Sequence, residues 1–407
     1  MRIPRFLHRF SSPRIYYGIA GWLSQWTLAV ALGLMVVGLY IGLVLAPTHS
    51  EQGESYRIIF IHVPAASNSM MVYVVMAVAS LIFLVWRIKL ADVVAAASAP
   101  IGASFTFLAL VTGSIWGKPT WGTWWQWDAR LTSELILLFL YLGYMALRAA
   151  IENRQNAGRA AAVLALVGVI NIPIIHYSVQ WWNTLHQGAT ISKFSQPSIQ
   201  GTMLAALLLM MAMFVFFYAT ALLVRGRCMV LQNEVRASWV REPPVTRPQY
   251  VAWTIPLIAI IFTAWLHLSS EREAVYSPGE LAQVSAVEHE AITVQGVVRD
   301  VEDHGAIKRF RLAVDDAAVD IRFPGNLPAQ FRAGWGARVT GTYAAETGRI
   351  EARSVAALNV RDHSSYVIIA YLIALVTLLI NALAPYRCLA TSKAVIARRH
   401  RREELDR

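Results

Sequence analysis

Residues 202–224 read TMLAALLLMMAMFVFFYATALLV, 23 consecutive positions without Asp, Glu, Lys or Arg. A helix rises about 1.5 Å per residue, so such a run fits the roughly 30 Å hydrocarbon core of a bilayer. It reads as a membrane span. Comparable runs lie near 22–46, 65–86, 93–115, 133–147, 160–180, 250–268 and 366–386, so eight transmembrane helices are expected. The whole chain agrees: 56% of its 407 residues are hydrophobic, 15% are charged and the mean hydropathy is +0.46, too apolar for an ordinary water-soluble globule. Arg2, Arg5, Arg9 and Arg14 precede the first run as in a secretory signal. That run is longer than a signal's apolar region and lacks a small-residue cleavage site, so it is expected to stay as an anchor.

The net charge of +11 invites a nucleic-acid reading, but the basic residues gather at the ends of alternate helices and not on one soluble face. Arg2 to Arg14, Arg87 with Lys89, Arg148 to Arg159, Arg225 to Arg247 and Arg387 to Arg402 are expected to be cytoplasmic under the positive-inside rule. An even number of spans then puts both termini in the cytoplasm. Cys228 and Cys388 lie beside these basic ends, where disulfides are rare, and are expected as free thiols. No CxxCH and no GxxxxGK[ST] occur, so the chain has no c-type haem attachment motif, and any ATP-driven step needs another subunit.

Composition divides the chain into four parts. Residues 1–240 carry six helices. Residues 241–277 hold a Pro- and Arg-containing linker, REPPVTRPQ, and one further helix. From 278 to 360 the periodicity becomes strand-like in AITVQGVVRDV, KRFRLAVDD, VDIRFPG and ARVTGTY, which predicts a small antiparallel barrel or sandwich on the outer side of the membrane. Residues 361–407 form a last helix and the basic tail RRHRREELDR, a solvated helix end or a contact for anionic lipid. The expected fold class is an α-helical membrane protein with an extracytoplasmic all-β domain.

One outer loop stands out. WGTWWQWDARLT, residues 121–132, has four tryptophans within seven positions. Single tryptophans at such a depth belong to the interfacial aromatic belt. Trp121, Trp124, Trp125 and Trp127, with Gly122, are numerous enough to make an apolar platform for a large planar ligand. Asp128 and Arg130 at its edge can orient that ligand or pair with each other, and an Arg fork holds a carboxylate well. A porphyrin has a broad apolar face and two propionates. Haem also takes imidazole as an axial ligand. His62 in RIIFIHVPAA and His186 in WWNTLHQGA flank the platform on the same side, although an isolated histidine there is more often merely hydrogen-bonded to backbone.

These motifs resemble the tryptophan-rich haem-handling proteins of cytochrome c maturation, the CcmC family, over residues 15–235. The resemblance implies that His62 and His186 are the axial ligands of haem b, and that Trp121 to Asp128 present the haem at the outer face of a bacterial cytoplasmic membrane. Further along, VYSPGEL, VQGVVRD and GNLPAQFRAGWG resemble the haem chaperone family CcmE, an OB-fold barrel behind one helix, over about 250–358. Members of that family bind haem covalently through a histidine just after the barrel, helped by a tyrosine. Here Arg361 stands near that place, and His363 with Tyr366 is a register-shifted alternative. The other alternative is that HSSYVIIAYLIALV resembles the single-helix partner CcmD, so that His363 opens a third fused part.

The resemblance implies haem delivery without enzymatic turnover. Its partners would be haem, the ABC-type subunits CcmA and CcmB, CcmD or CcmE where the fused parts do not replace them, a downstream haem lyase and membrane lipid, with no nucleic acid. Two competing readings are a transmembrane haem transporter and a membrane b-type redox protein. Asp92 and Glu134 read as interfacial or helix-start charges, the second behind Thr132 as N-cap, with a proton relay as the weaker alternative. His176, Trp181 and Trp182 sit on the same outer rim, as pocket lining or helix-end packing. His289 and His304 read as loop histidines.

Overall fold

A computed structural model describes residues 12–47, 49, 52–182, 184, 186, 199–240, 248–269, 275–281, 291–305, 307–327, 331, 333–344, 347–358 and 364–405. Among these, eight helical stretches are long and apolar enough to cross a membrane, in agreement with the hydropathy reading. The protein is a multi-pass membrane protein. The chain forms two compact units, one of Met1–Ala46, Arg57–Ala264 and Ile368–Arg407, the other of Pro47–Tyr56 and Trp265–Val367.

In the first unit α1 (Pro13–Tyr40) continues into a π-helical turn, Ile41–Leu45. The carbonyls of Gly42 and Ala46 accept hydrogen bonds from the buried Arg57 guanidinium, which satisfies the backbone groups that the widened turn releases. Next come α2 (Ile59–Trp86), α3 (Lys89–Trp121), α4 (Ala129–Ala150), α5 (Arg154–Gly168), α6 (Asn171–Trp181), α7 (Gly201–Asn233), α8 (Thr254–Ser269) and α9 (Ser364–Leu405). Helices α5 and α6 make one interrupted span, and Asn171 at the break donates to Ser133 O at 2.8 Å. Helix α1 packs along α7 and α2 along α3, while α4 lies against both α3 and α5. Small residues permit these approaches. A Cβ on Gly102 of α3 would fall 2.1 Å from the Tyr141 ring of α4, and one on Gly168 would fall 2.1 Å from Tyr73 Oη.

The two cysteines correct the sequence reading. Cys228 of α7 and Cys388 of α9 form a disulfide, with a Cα–Cα distance of 6.0 Å across 160 residues of sequence. Their surroundings are Tyr17, Val224, Leu231, Val240, Leu389 and Ile396, buried where α1, α7 and α9 meet. The expectation of free thiols weighed compartment alone; the separation along the chain conceals that α9 returns to the end of α7. Thiol labelling in denaturant is expected to modify neither cysteine before reduction and both after it. Reduction is expected to lower the stability of this end by about 2–4 kcal/mol, read as an earlier thermal transition.

The second unit is the barrel. Strands β2 (Ala291–His304), β3 (Ile307–Val314), β4 (Ala317–Phe323), β5 (Gly336–Ala344) and β6 (Arg349–Leu358) pair in the order β2-β3-β4-β6-β5, and β5 pairs again with β2. The sheet thus closes. All these pairings are antiparallel except β4 with β6, and a short β1 (Val275–Tyr276) lies parallel to β2. The sequence pointed to a barrel but not to its parallel pair; five strands closed in this order have the topology of an OB-fold. Alternation sends Phe310, Leu312, Val319 and Ile321 inward and Arg309, Arg311, Asp320 and Arg322 outward. Asp315, at φ +52°, turns β3 into β4 through a two-residue loop with Asp316.

Candidate functional site

Helix α3 ends where the tryptophan loop begins. Gly122, at φ +80°, closes it by donating to Lys118 O at 3.1 Å, and Lys118 Nζ donates back to Gly122 O at 3.0 Å. Trp121 is therefore the last helical residue and is half-buried, whereas Trp124 and Trp127 are 51% and 74% exposed. Trp125 and Trp127 meet edge to face, their planes 75° apart, so the four indoles do not share one plane. Trp125 Nε1 is buried and has no hydrogen-bond partner among the described residues.

Asp128 then starts α4. It accepts from Leu131 N–H at 2.8 Å as N-cap, a role the sequence reading gave to Thr132. Its second oxygen accepts from His186 Nδ1 at 3.0 Å and from the Thr184 hydroxyl. Thr184 also accepts from the His186 backbone N–H at 3.1 Å, which holds both residues on the carboxylate. The Trp121 ring stands edge-on to His186, centroids 4.9 Å apart. One carboxylate thus joins the helix start, the tryptophan loop and the histidine.

His62, one turn into α2, makes a parallel arrangement with α3. Its Nδ1 donates to Ala109 O at 2.9 Å and lies 3.2 Å from Thr112 Oγ1. Trp116 stands edge-on at 5.8 Å. The imidazole lies so close to α3 that a Cβ on Gly113 would come within 2.7 Å of its Cε1. With Nδ1 bound to an acceptor in both residues, Nε2 of both carries the lone pair. Neutral imidazoles fixed through the far nitrogen are what metal-ligating histidines require. His186, His62 and Arg130 all interact electrostatically, which places them at one end of the bundle.

Charge at this end is tuned by burial. Burial pushes the His186 imidazole below its ordinary value; Asp128 works against that and Arg130 reinforces it, so the ring stays neutral. Burial also opposes the charge on Asp128, but hydrogen bonds from Thr184, Leu131 N–H and His186 hold its carboxyl below the usual range.

Glu134 is not a helix-start charge at the surface. It is buried one turn into α4 and accepts from Ser69 Oγ of α2 at 2.8 Å. Asp92 does lie in the first turn of α3, where Arg148 of α4 grips both its oxygens. His176, Tyr177, Trp181 and Trp182 form an aromatic row along the end of α6, with Tyr177 and Trp181 stacked at 5.5 Å and both partly exposed. Tyr366 lies in the first turn of α9, in the second unit; Arg361, His363 and His289 fall outside the described residues. Thr184, Thr112 and Gly113 were missed by sequence reasoning. Thr184 sits inside the quoted motif WWNTLHQGA, but the partners of His62 lie 47 and 50 residues away with no local signal.

Fold and candidate residues define a multi-pass membrane protein that holds two imidazoles, each fixed through Nδ1, and a tryptophan-rich loop on its helix bundle. The sequence profile described as heme exporter protein C (CcmC) matches residues 6–241, and the chain belongs to that family. Heme exporter protein C of Escherichia coli (strain K12) is 53% identical over 236 residues, 58% of this chain and 95% of that protein. The protein of the same name from Haemophilus influenzae is 49% identical over 237 residues, 58% of this chain and 96% of its own length. That of Paracoccus denitrificans is 41% identical over 234 residues, covering 57% and 97%.

Proposed function

We propose that this chain holds haem b between His62 and His186 and delivers it during cytochrome c maturation, without chemical turnover. The observation that carries this reading is the pair of imidazoles, each fixed through Nδ1 by Ala109 O or Asp128 and each keeping Nε2 for a metal. The names of the relatives, heme exporter protein C, supply the cargo. Trp121 and Trp116 flank the imidazoles edge-on, and exposed Trp124 and Trp127 offer apolar area to a planar ligand. Arg130 and Trp125 Nε1, which has no partner among the described residues, are donors suited to propionate.

The orientation proposed with this function puts the site and the barrel on the periplasmic side of a bacterial inner membrane and both termini in the cytoplasm, from the distribution of Lys and Arg. The barrel resembles a haem chaperone, and fusion keeps such an acceptor on the same chain at the millimolar effective concentration of a short tether. In the favoured arrangement HSSYVIIAYLIALV is a CcmD-like third part and the barrel positions haem without a covalent bond; His363 with Tyr366 is the alternative pair for covalent capture. Release would draw on ABC-type subunits, CcmA and CcmB, with a haem lyase downstream. Passage of haem through the bundle is the weaker reading, because the spans contain few ionisable residues to mark a polar path.

The test is a haem titration of the detergent-purified chain followed by its absorption spectrum. A bis-imidazole spectrum is expected; a chain that stays haem-free with haem in excess would sink the proposal. Asp128→Asn refines it. Asn still caps α4 through its amide oxygen, but its other terminal atom becomes an NH2 donor that cannot accept from His186 Nδ1, so affinity is expected to fall about ten- to a hundredfold with helicity unchanged. Acidification should act on the same contact. Because folding holds His186 below its ordinary pKa, the folded form carries fewer protons than the unfolded one below about pH 6.5. The stability its neutral ring contributes is present above that pH and is lost as pH falls toward the folded value. Asp128, also depressed, loses its contribution only at lower pH, as pH falls from about 3.9 through its folded value. Haem occupancy is therefore expected to hold from pH 8 to below 6.5 and then drop.

A further inference from the structure

Helix α4 carries a second pattern that the paired-imidazole site does not use. Arg130, Glu134, Leu137, Tyr141, Tyr144 and Arg148 follow at intervals of three and four, which sets them on one helical face. Only Leu137 is apolar. From Arg130 to Arg148 the face runs about 27 Å at 1.5 Å per residue, most of the thickness of a hydrocarbon core. Glu134, Tyr141 and Tyr144 are buried, as are Ser69, Tyr73 and Ser80 at matching intervals on α2.

Hydrogen bonds join the groups at the two ends of this face, and the hydroxyls of Tyr73, Ser80 and Tyr144 between them have no partner among the described residues. Ser69 Oγ donates to Glu134 at 2.8 Å, and Tyr141 Oη donates to Ser69 O at 2.7 Å. Tyr73 meets Tyr141 edge-on at 5.0 Å, and Tyr144 lies beside Ser80 and Arg148. Arg148 in turn grips Asp92 at the basic end. Tyr73 is 0% exposed, yet its hydroxyl has no partner among the described residues. Helix–helix adhesion accounts for hydroxyls that bond across an interface. It does not account for an ionisable carboxyl and an unpaired phenol in one stripe; at membrane depth such groups mark ion or proton routes, and an unpaired hydroxyl there is met by water.

We propose that this stripe is a proton track, leading from the Asp92–Arg148 pair through Tyr144, Ser80, Tyr73, Tyr141 and Ser69 to Glu134 as its terminal acceptor. Each hydroxyl or intervening water takes a proton on an oxygen lone pair and releases its own to the next, so one proton moves and no electron does. The groups that face Glu134 are Arg130 on its own helix, Ser69 on α2 and Tyr141 two turns along, with Tyr218 of α7 acting on Tyr141. If the haem reading holds, this proton is the one that balances charge arriving beside Arg130. The track itself does not depend on that reading.

The experiment uses infrared spectroscopy of the haem-free full chain in liposomes transferred to D2O. The carbonyl band of a protonated carboxyl that is missing in Glu134→Gln identifies the acceptor. Its deuterium shift is expected to slow at least tenfold in Tyr73→Phe and in Ser69→Ala, but not in Thr220→Val, which removes a buried hydroxyl paired with Thr27 away from the stripe. Helicity checks folding in each variant. Equal exchange rates in wild type, Tyr73→Phe and Ser69→Ala would overturn the proposal, as would absence of any band assignable to Glu134. Neither result touches haem binding, which the absorption spectrum judges separately.

Discussion

His62→Gln and His186→Gln are each expected to abolish the bis-imidazole spectrum and to weaken haem binding more than about a hundredfold, or about 3 kcal/mol. Removing only the orienting carboxylate of a metal-bound histidine typically costs ten- to a hundredfold, and removing the ligand costs more. Glutamine is close in size, so both variants should keep their helicity. A third variant separates ligation from mere presence. Gly113→Ala leaves both histidines in place, but its Cβ would lie 2.7 Å from His62 Cε1, so the ring must move off α3 and lose Ala109 O. The same spectral loss is expected there. Should either glutamine variant retain the wild-type spectrum and affinity, the ligand assignment fails, whatever becomes of the family membership.

Gly102→Ala is expected to be the most damaging small substitution in the bundle. Its Cβ would sit 2.1 Å from the Tyr141 ring, which is fully buried and pinned by its hydrogen bond to Ser69 O. Tyr141 cannot swing into solvent. Either α3 and α4 separate or the phenol leaves its acceptor, and overpacking together with an unmet buried hydroxyl costs about 3 kcal/mol or more. Thermal unfolding of the detergent-solubilised chain measures this. Tyr141→Leu vacates the ring's place, so in the double variant the alanine should cost much less than it does alone, a coupling that a double-mutant cycle reads directly. An additive result would mean that the helices adjust freely and that the close approach is not decisive.

The two substitutions probe different kinds of information. His62 and His186 stood out as candidates because they flank an aromatic loop between spans, and the ligand role offered for them came from the family resemblance. Gly102 and Gly113 did not, because a glycine in an apolar run carries no mark of what approaches it. Glu134 was read as a surface helix-start charge since its neighbours in sequence fit an N-terminus. The cap is in fact Asp128, and the partner of Glu134 is Ser69, 65 residues earlier.

The sequence by itself determined that the chain crosses a membrane eight times and that a β domain lies between the last two spans, and it singled out one aromatic loop and two histidines as candidates. Those are properties of local composition and period, governed by hydrocarbon thickness and by the two-residue repeat of strands. Only the tertiary structure decided which nitrogen of each histidine is held, that Cys228 meets Cys388, that one parallel pair helps close the barrel, and that polar residues of α2 and α4 align into a stripe. Each is a contact between residues distant in the chain, fixed by which helix faces pack and how deep each glycine lets them come, and no local pattern encodes that.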